Sequence, residues 1–117
     1  MKRMAFHELY QSRACCIQIL FAEKNMQYGS DEDVFANNKK AAAIAQKQPE
    51  DFLMTQVAKH IALLCVRAET LAGLDTGIAP EEMEAWRENM DDVSLWMFIL
   101  NGLLEERFQK GIAEGGV

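Results

Sequence analysis

Cysteine is scarce in this chain of 117 residues, with three copies at positions 15, 16 and 65. An odd count with an adjacent pair and no CxxC spacing excludes a disulfide framework and a zinc ribbon, and leaves reduced thiols acting as small apolar residues. There are two histidines, His7 and His60, too few for a multi-histidine metal centre. The two prolines and seven glycines, against a hydrophobic fraction of 50%, rule out a low-complexity tail and supply enough apolar surface to offset chain entropy.

Long apolar runs are also missing. The longest, Val93 to Leu100, is broken by Ser94 and falls far short of the ~20 residues that span a bilayer. The opening Met1-Lys2-Arg3-Met4 is followed by His7, Glu8, Gln11, Ser12 and Arg13, which interrupt any signal-peptide segment. No membrane partner is expected, and a cytoplasmic location is. Positive charge is in deficit: 12 Lys and Arg face 18 Asp and Glu, a formal charge of -6. No long-range field therefore draws the chain to duplex nucleic acid, although a few local cations or a metal ion can still hold a small anion. P-loop, GxGxxG, HExxH and GxSxG signatures are all absent.

What is present is helical periodicity. Phe6, Leu9, Cys16, Ile17 and Leu20 share a face of a helix from about Met4 to Tyr28, stopped by Gly29. Ser30 before Asp31, Glu32 and Asp33 predicts the cap of a second helix running to about Gln46, in which Ala41-Ala42-Ala43 permits close approach. Pro49 opens a third helix to about Ala72, with Leu53, Val57, Ile61, Leu64, Ala68 and Leu71 on one stripe. Gly73, Asp75 and Gly77 mark a loop, and Pro80 opens a fourth helix to about Lys110.

The length and pattern predict one all-α domain over residues 1–117, a compact four-helix bundle-like fold with frayed ends at 1–3 and 111–117. On the last helix Met83, Trp86, Met90, Val93 and Met97 form a stripe, whereas Leu95 to Leu100 are apolar on nearly every side. Such a segment must be surrounded, either at the bundle centre or at a subunit interface, so a homo-oligomer is expected.

The sharpest polar feature is Glu88, Asp91 and Asp92, in a run where Glu84, Glu88 and Asp91 share one helix face. Carboxylates one turn apart can hold Mg²⁺ against a substrate's phosphates; a solvated acidic face near a helix N-terminus is the plainer reading. On the third helix Gln56, His60 and Arg67 lie along one edge of the apolar stripe, so that an imidazole and a guanidinium can meet an anionic ligand. The plainer reading of Arg67 is a salt bridge to an acid such as Glu88.

The order Tyr28-Gly29, Phe35 and Asn37, Lys59-His60-Ile61, then Glu88, Asp91-Asp92-Val93 and Trp96 resembles small phage nucleotide modification associated domains. These in turn look like distant relatives of the MazG-like all-α nucleoside triphosphate pyrophosphohydrolases. The resemblance covers about residues 26 to 107. It implies nucleotide binding through His60 and Arg67 and a Mg²⁺ held by Glu88, Asp91 and Asp92, of which Glu88 and Asp91 match that family's ExxD motif. The family's ExxE pair on the preceding helix is missing. An alternative function is a small acidic interaction protein without a reaction of its own, which inhibits a host protein or sequesters a signalling nucleotide.

Overall fold

Pro49 and Pro80 each occupy the first position of a helix, and the residues before them, Gln48 and Ala79, are extended with ψ of 149° and 148°. That is the conformation a following proline ring imposes, and it turns the chain sharply into α3 (Pro49–Leu71) and α4 (Pro80–Ala113). Glu50 and Asp51, and Glu81 and Glu82, place negative charge in the first turns, where the exposed N–H groups favour it. α1 (Arg3–Gln27) and α2 (Ala36–Ile44) precede them. The computed structural model describes residues 1–27, 29–73 and 77–115, with the side chains of 25–27 left aside. Tyr28, Asp75 and Gly116, assigned above to a helix end, a loop and a tail, lie outside those residues.

The all-α class with four helices agrees with the sequence reading, and among the described residues no strand occurs. One boundary differs substantially. The second helix begins at Ala36, not Asp31, because polar side chains compete for the backbone. Ser30 Oγ accepts from the Asp33 amide at 3.1 Å, Asp33 Oδ1 accepts from the Phe35 amide at 3.0 Å, and the Ser30 amide donates to the Asp33 carbonyl at 3.0 Å. These bonds close a local turn instead of a helical ladder. Lys39 donates to Asp33 Oδ2 at 2.9 Å, and this bond with the Phe35 amide holds the Asp33 carboxyl below its ordinary value. The last helix runs three residues beyond the expected Lys110, through Gly111 to Ala113.

α2 ends in a Schellman turn. The Lys47 amide donates to the Ala42 carbonyl and the Gln46 amide to the Ala43 carbonyl, with Gln46 at φ 57°. A glutamine Cβ is disfavoured there, so Gln46→Gly is expected to raise stability by about 0.5 to 1 kcal/mol, read as a higher midpoint in denaturant with an unchanged slope.

Ion pairs fix the helix directions. Arg67 Nη1 meets Glu82 Oε1 at 3.0 Å, and Arg107 grips both oxygens of Glu50 at 2.9 Å, so α3 and α4 form an antiparallel hairpin. The Arg107 guanidinium also holds the Glu50 carboxyl below its ordinary value. On α1, Arg13 pairs with Asp91, and the Phe21 and Phe98 rings meet edge to face at 5.0 Å, so α1 runs parallel to α4. The backbone of α1 comes close to α4 alone, and that of α2 to α3 alone. α4 is thus flanked by α1 on one side and α3 on the other, as its apolar middle demands, and α2 lies on α3 with its first turn reaching over α4, where Lys39 pairs with Glu106 at 2.7 Å and Phe35 meets Gly102.

This arrangement leaves a thin core. Among the described residues only Ala42, Leu53, Val57, Leu95 and Leu103 are buried. Ala42 confirms the close approach that small side chains on α2 permit. The α3 stripe is covered over its first turns, but Ile61 and Ala68 are exposed and Leu64 and Leu71 half-buried. Cys15, Cys16 and Cys65, read above as small apolar residues, are all exposed, because α1 and α3 each leave flanks without a neighbour. The radius of gyration is 17.7 Å, against about 13 Å for a compact domain of this length.

Candidate functional site

Because α1 and α3 flank α4 without touching each other, a furrow runs over α4 between them. Where it narrows, one side chain from each wall and several from the floor line a cleft of about 200 Å³: Lys24 on α1, His60 on α3, and Asp92, Leu95, Trp96 and Ile99 on α4. Asp92, Trp96 and Ile99 share the cleft because residues three and four apart lie on one face of a helix. The His60 and Trp96 rings lie 6.4 Å apart between centroids and are tilted by 33°. Lys24, His60, Asp92 and Trp96 are all half-buried, so each polar head remains within reach of a ligand entering from solvent. A cation, an imidazole, a carboxylate and an aromatic wall thus converge from three helices. The cation and imidazole are chemically suited to an anion, and the indole to a planar ring.

The acidic group divides. Asp91 is turned about a hundred degrees from Asp92 and is held by Arg13, whose own pKa is raised by that hydrogen bond. Asp92 faces the cleft, and Glu88, one turn earlier on the same side of α4, is exposed. Among the described residues, no three His, Cys, Asp or Glu side chains gather closely enough to hold a metal ion. The ExxD pair is therefore not a ready-made cage within one chain: Asp91 is engaged elsewhere, and what faces the cleft is Asp92 with Glu88 beside it.

His60 and Arg67 are likewise separated, by two turns of α3, or about 10 Å along its axis. Arg67 pairs with Glu82, not Glu88, at the edge of a second and shallower hollow of about 520 Å³ that includes Leu63, Val66 and Thr70. Between the two hollows the α3–α4 seam holds three buried donors without an acceptor among the described residues: Arg67 Nε, Trp86 Nε1 and Asn89 Nδ2. A buried donor left unpaired costs about 1 to 3 kcal/mol, so this seam is suited to an acceptor from outside the chain, whether ordered water or a ligand's oxygens.

Sequence reasoning placed His60 and Asp92 correctly on facing helices, but missed Lys24 and Arg13. Both fall in register with Ile17, Leu20 and Phe21, the stripe by which α1 packs on α4. A charged residue on that stripe is the signal that could have found them, since it must meet either a partner or a cleft. Comparison with family models, curated proteins and solved structures finds no match to this chain.

Proposed function

We propose that this chain is a nucleotide-handling helical domain and that the cleft of Lys24, His60, Asp92 and Trp96 receives the nucleotide. The convergence of Lys24 and His60 beside the Trp96 ring carries the reading. On a chain with a formal charge of -6, a phosphate is held only where local cations outweigh the field. Lys24 and His60 supply donors to phosphate oxygens and Trp96 an apolar wall for the base. Arg67, about 10 Å further along α3 and paired with Glu82, would have to leave that pair to reach the phosphates.

The cleft volume is below the 300 to 1,000 Å³ of typical small-molecule pockets, which suits part of a nucleotide, with the rest along the furrow. Mg²⁺ usually arrives on phosphates with several waters and takes only one or two protein carboxylates. Glu88 and Asp92 are the pair that would meet it; Asp91 would have to leave Arg13 first. The ion would screen phosphate charge from Asp92, so binding, rather than pyrophosphohydrolase turnover, is the function these residues support.

A panel of nucleoside mono-, di- and triphosphates and cyclic nucleotides, each with and without Mg²⁺, tests this by thermal shift. A nucleotide at a hundred times its dissociation constant adds about 2.7 kcal/mol, a rise of several degrees in the midpoint. The rise is expected to vanish in Lys24→Gln and His60→Gln, and Asp92→Asn is expected to remove its Mg²⁺-dependent part. No shift with any nucleotide would sink the reading. It would leave the non-catalytic interaction protein, which one observation favours: residues 1–12 are exposed throughout, including Met4, Phe6 and Tyr10.

A further inference from the structure

The side of α4 facing away from the cleft carries an uncovered apolar seam. Met90, Met97 and Leu104 recur every seven residues, which keeps them on one face of the helix with a drift of only ~20° per step. Phe108 extends that seam by another turn. Met97 is turned roughly 140° from Asp92 and 200° from Ile99, so the seam and the cleft occupy opposite sides of α4. Met90, Met97, Leu104 and Phe108 are 40%, 43%, 48% and 56% exposed. Across the hairpin, Met54 and Ile61 of α3, also seven apart, are 42% and 45% exposed.

The area left open is too large for a chain that stands alone. The chain exposes 8836 Å², whereas a compact protein of 13.2 kDa exposes about 6,400 Å². The excess of about 2,400 Å² per chain, doubled, falls within the 2,000 to 5,000 Å² buried by obligate homodimers. The elongated shape, 56 × 33 × 29 Å, goes with that large exposed area.

We propose that a second copy of this chain docks on this face, α4 against α4, antiparallel and centred on Met97. In that register Met90 of one copy packs against Leu104 of the other, and the two Met97 side chains meet at the two-fold axis. Ser94 and Asn101 are the residues between, so no charge is buried at the centre of the seam. Arg87 and Glu105 lie on the same flank of the stripe, one before Met90 and the other after Leu104. Antiparallel pairing brings Arg87 of one copy within reach of Glu105 of the other; a parallel pairing offers Arg87 only the opposite flank of α4, which is covered by α3. Within its own chain Arg87 has only a 3.8 Å approach to Glu84. The clefts stay open on the outer faces, so the dimer does not depend on what they bind.

Sedimentation velocity and light scattering test this at micromolar chain concentration. A mass twice the 13.2 kDa of the chain is expected. Met97→Glu should reduce it to the chain mass with helical circular dichroism retained, because two carboxylates would meet on the axis. Arg87→Glu should weaken dimerisation about tenfold, and Arg87→Glu with Glu105→Arg should restore it. Should Met97→Glu fail to fold, Met97→Cys with the three native cysteines replaced by serine is expected to form a disulfide-linked dimer on mild oxidation. A wild-type species of chain mass, an assembly indifferent to Met97→Glu, or a Met97→Cys chain that does not cross-link would each overturn the proposal.

Discussion

Leu53→Ala is expected to lower stability by about 3 to 4 kcal/mol, a large fraction of the roughly 5 to 15 kcal/mol that keeps a domain folded, and to shift the thermal midpoint down by about 10 °C or more. Leu53 is fully buried, and among the described residues it and Val57 are the largest side chains in that state. Truncation removes three methyl or methine carbons and opens a cavity between α3 and its neighbours. In a well-layered protein the surroundings would share the loss. Here few other side chains are fully enclosed, so the α2–α3–α4 junction has little with which to compensate. Chemical denaturation at fixed chain concentration measures the effect, and a loss below about 1 kcal/mol would mean that the junction collapses onto the gap.

The second large effect is expected at Gly29. Its φ of 65° lies in the left-handed region, and a Cβ there would sit 2.5 Å from the Asp33 carbonyl oxygen and 2.6 Å from that of Val34. Both obstacles are backbone, so no rotamer change relieves them. Left-handed backbone alone costs about 1 to 2 kcal/mol for a residue with a side chain, and the collision adds to it. Gly29→Ala is therefore expected to cost about 3 kcal/mol. The damage should spread, because the turn it closes presents Phe35 to Gly102, where the ring leaves no room even for a methyl group. Gly73→Ala, whose Cβ meets nothing within 4 Å, is the control and should be nearly neutral. Denaturant midpoints for both variants decide the matter: equal losses would refute the collision argument.

The elements that were legible in the sequence are those written by local chemistry. Pro49 and Pro80 open their helices where a fixed φ and a missing N–H predict. The start of α2 was not legible, because Ser30 and the acids after it read equally as a helix cap and as a turn; the choice fell to Asp33, whose side chain bonds Phe35 and Lys39. Periodicity marked Leu53 and Val57 as core and equally marked Ile61, which is exposed. A stripe shows that a face is apolar but not whether the same chain covers it. The candidate site behaved likewise. His60 and Asp92 were visible as residues, but spacing could not show that Arg13 would engage Asp91 while Lys24 joined the other two in the cleft.

The parallel pairing of the first helix with the last carries a consequence for the order of assembly. Arg13 and Asp91 are 78 positions apart, so a chain made from its N-terminus exposes the α1 stripe throughout the synthesis of everything between them. The α3–α4 hairpin can close as soon as both of its strands of sequence exist, and α2 can settle on α3 before α4 is made. α1 has no surface to join until residues 91 to 98 have emerged. Among the four helices its apolar flank, with Ile17 and Phe21 uncovered, is then the one that waits longest for its partner during synthesis.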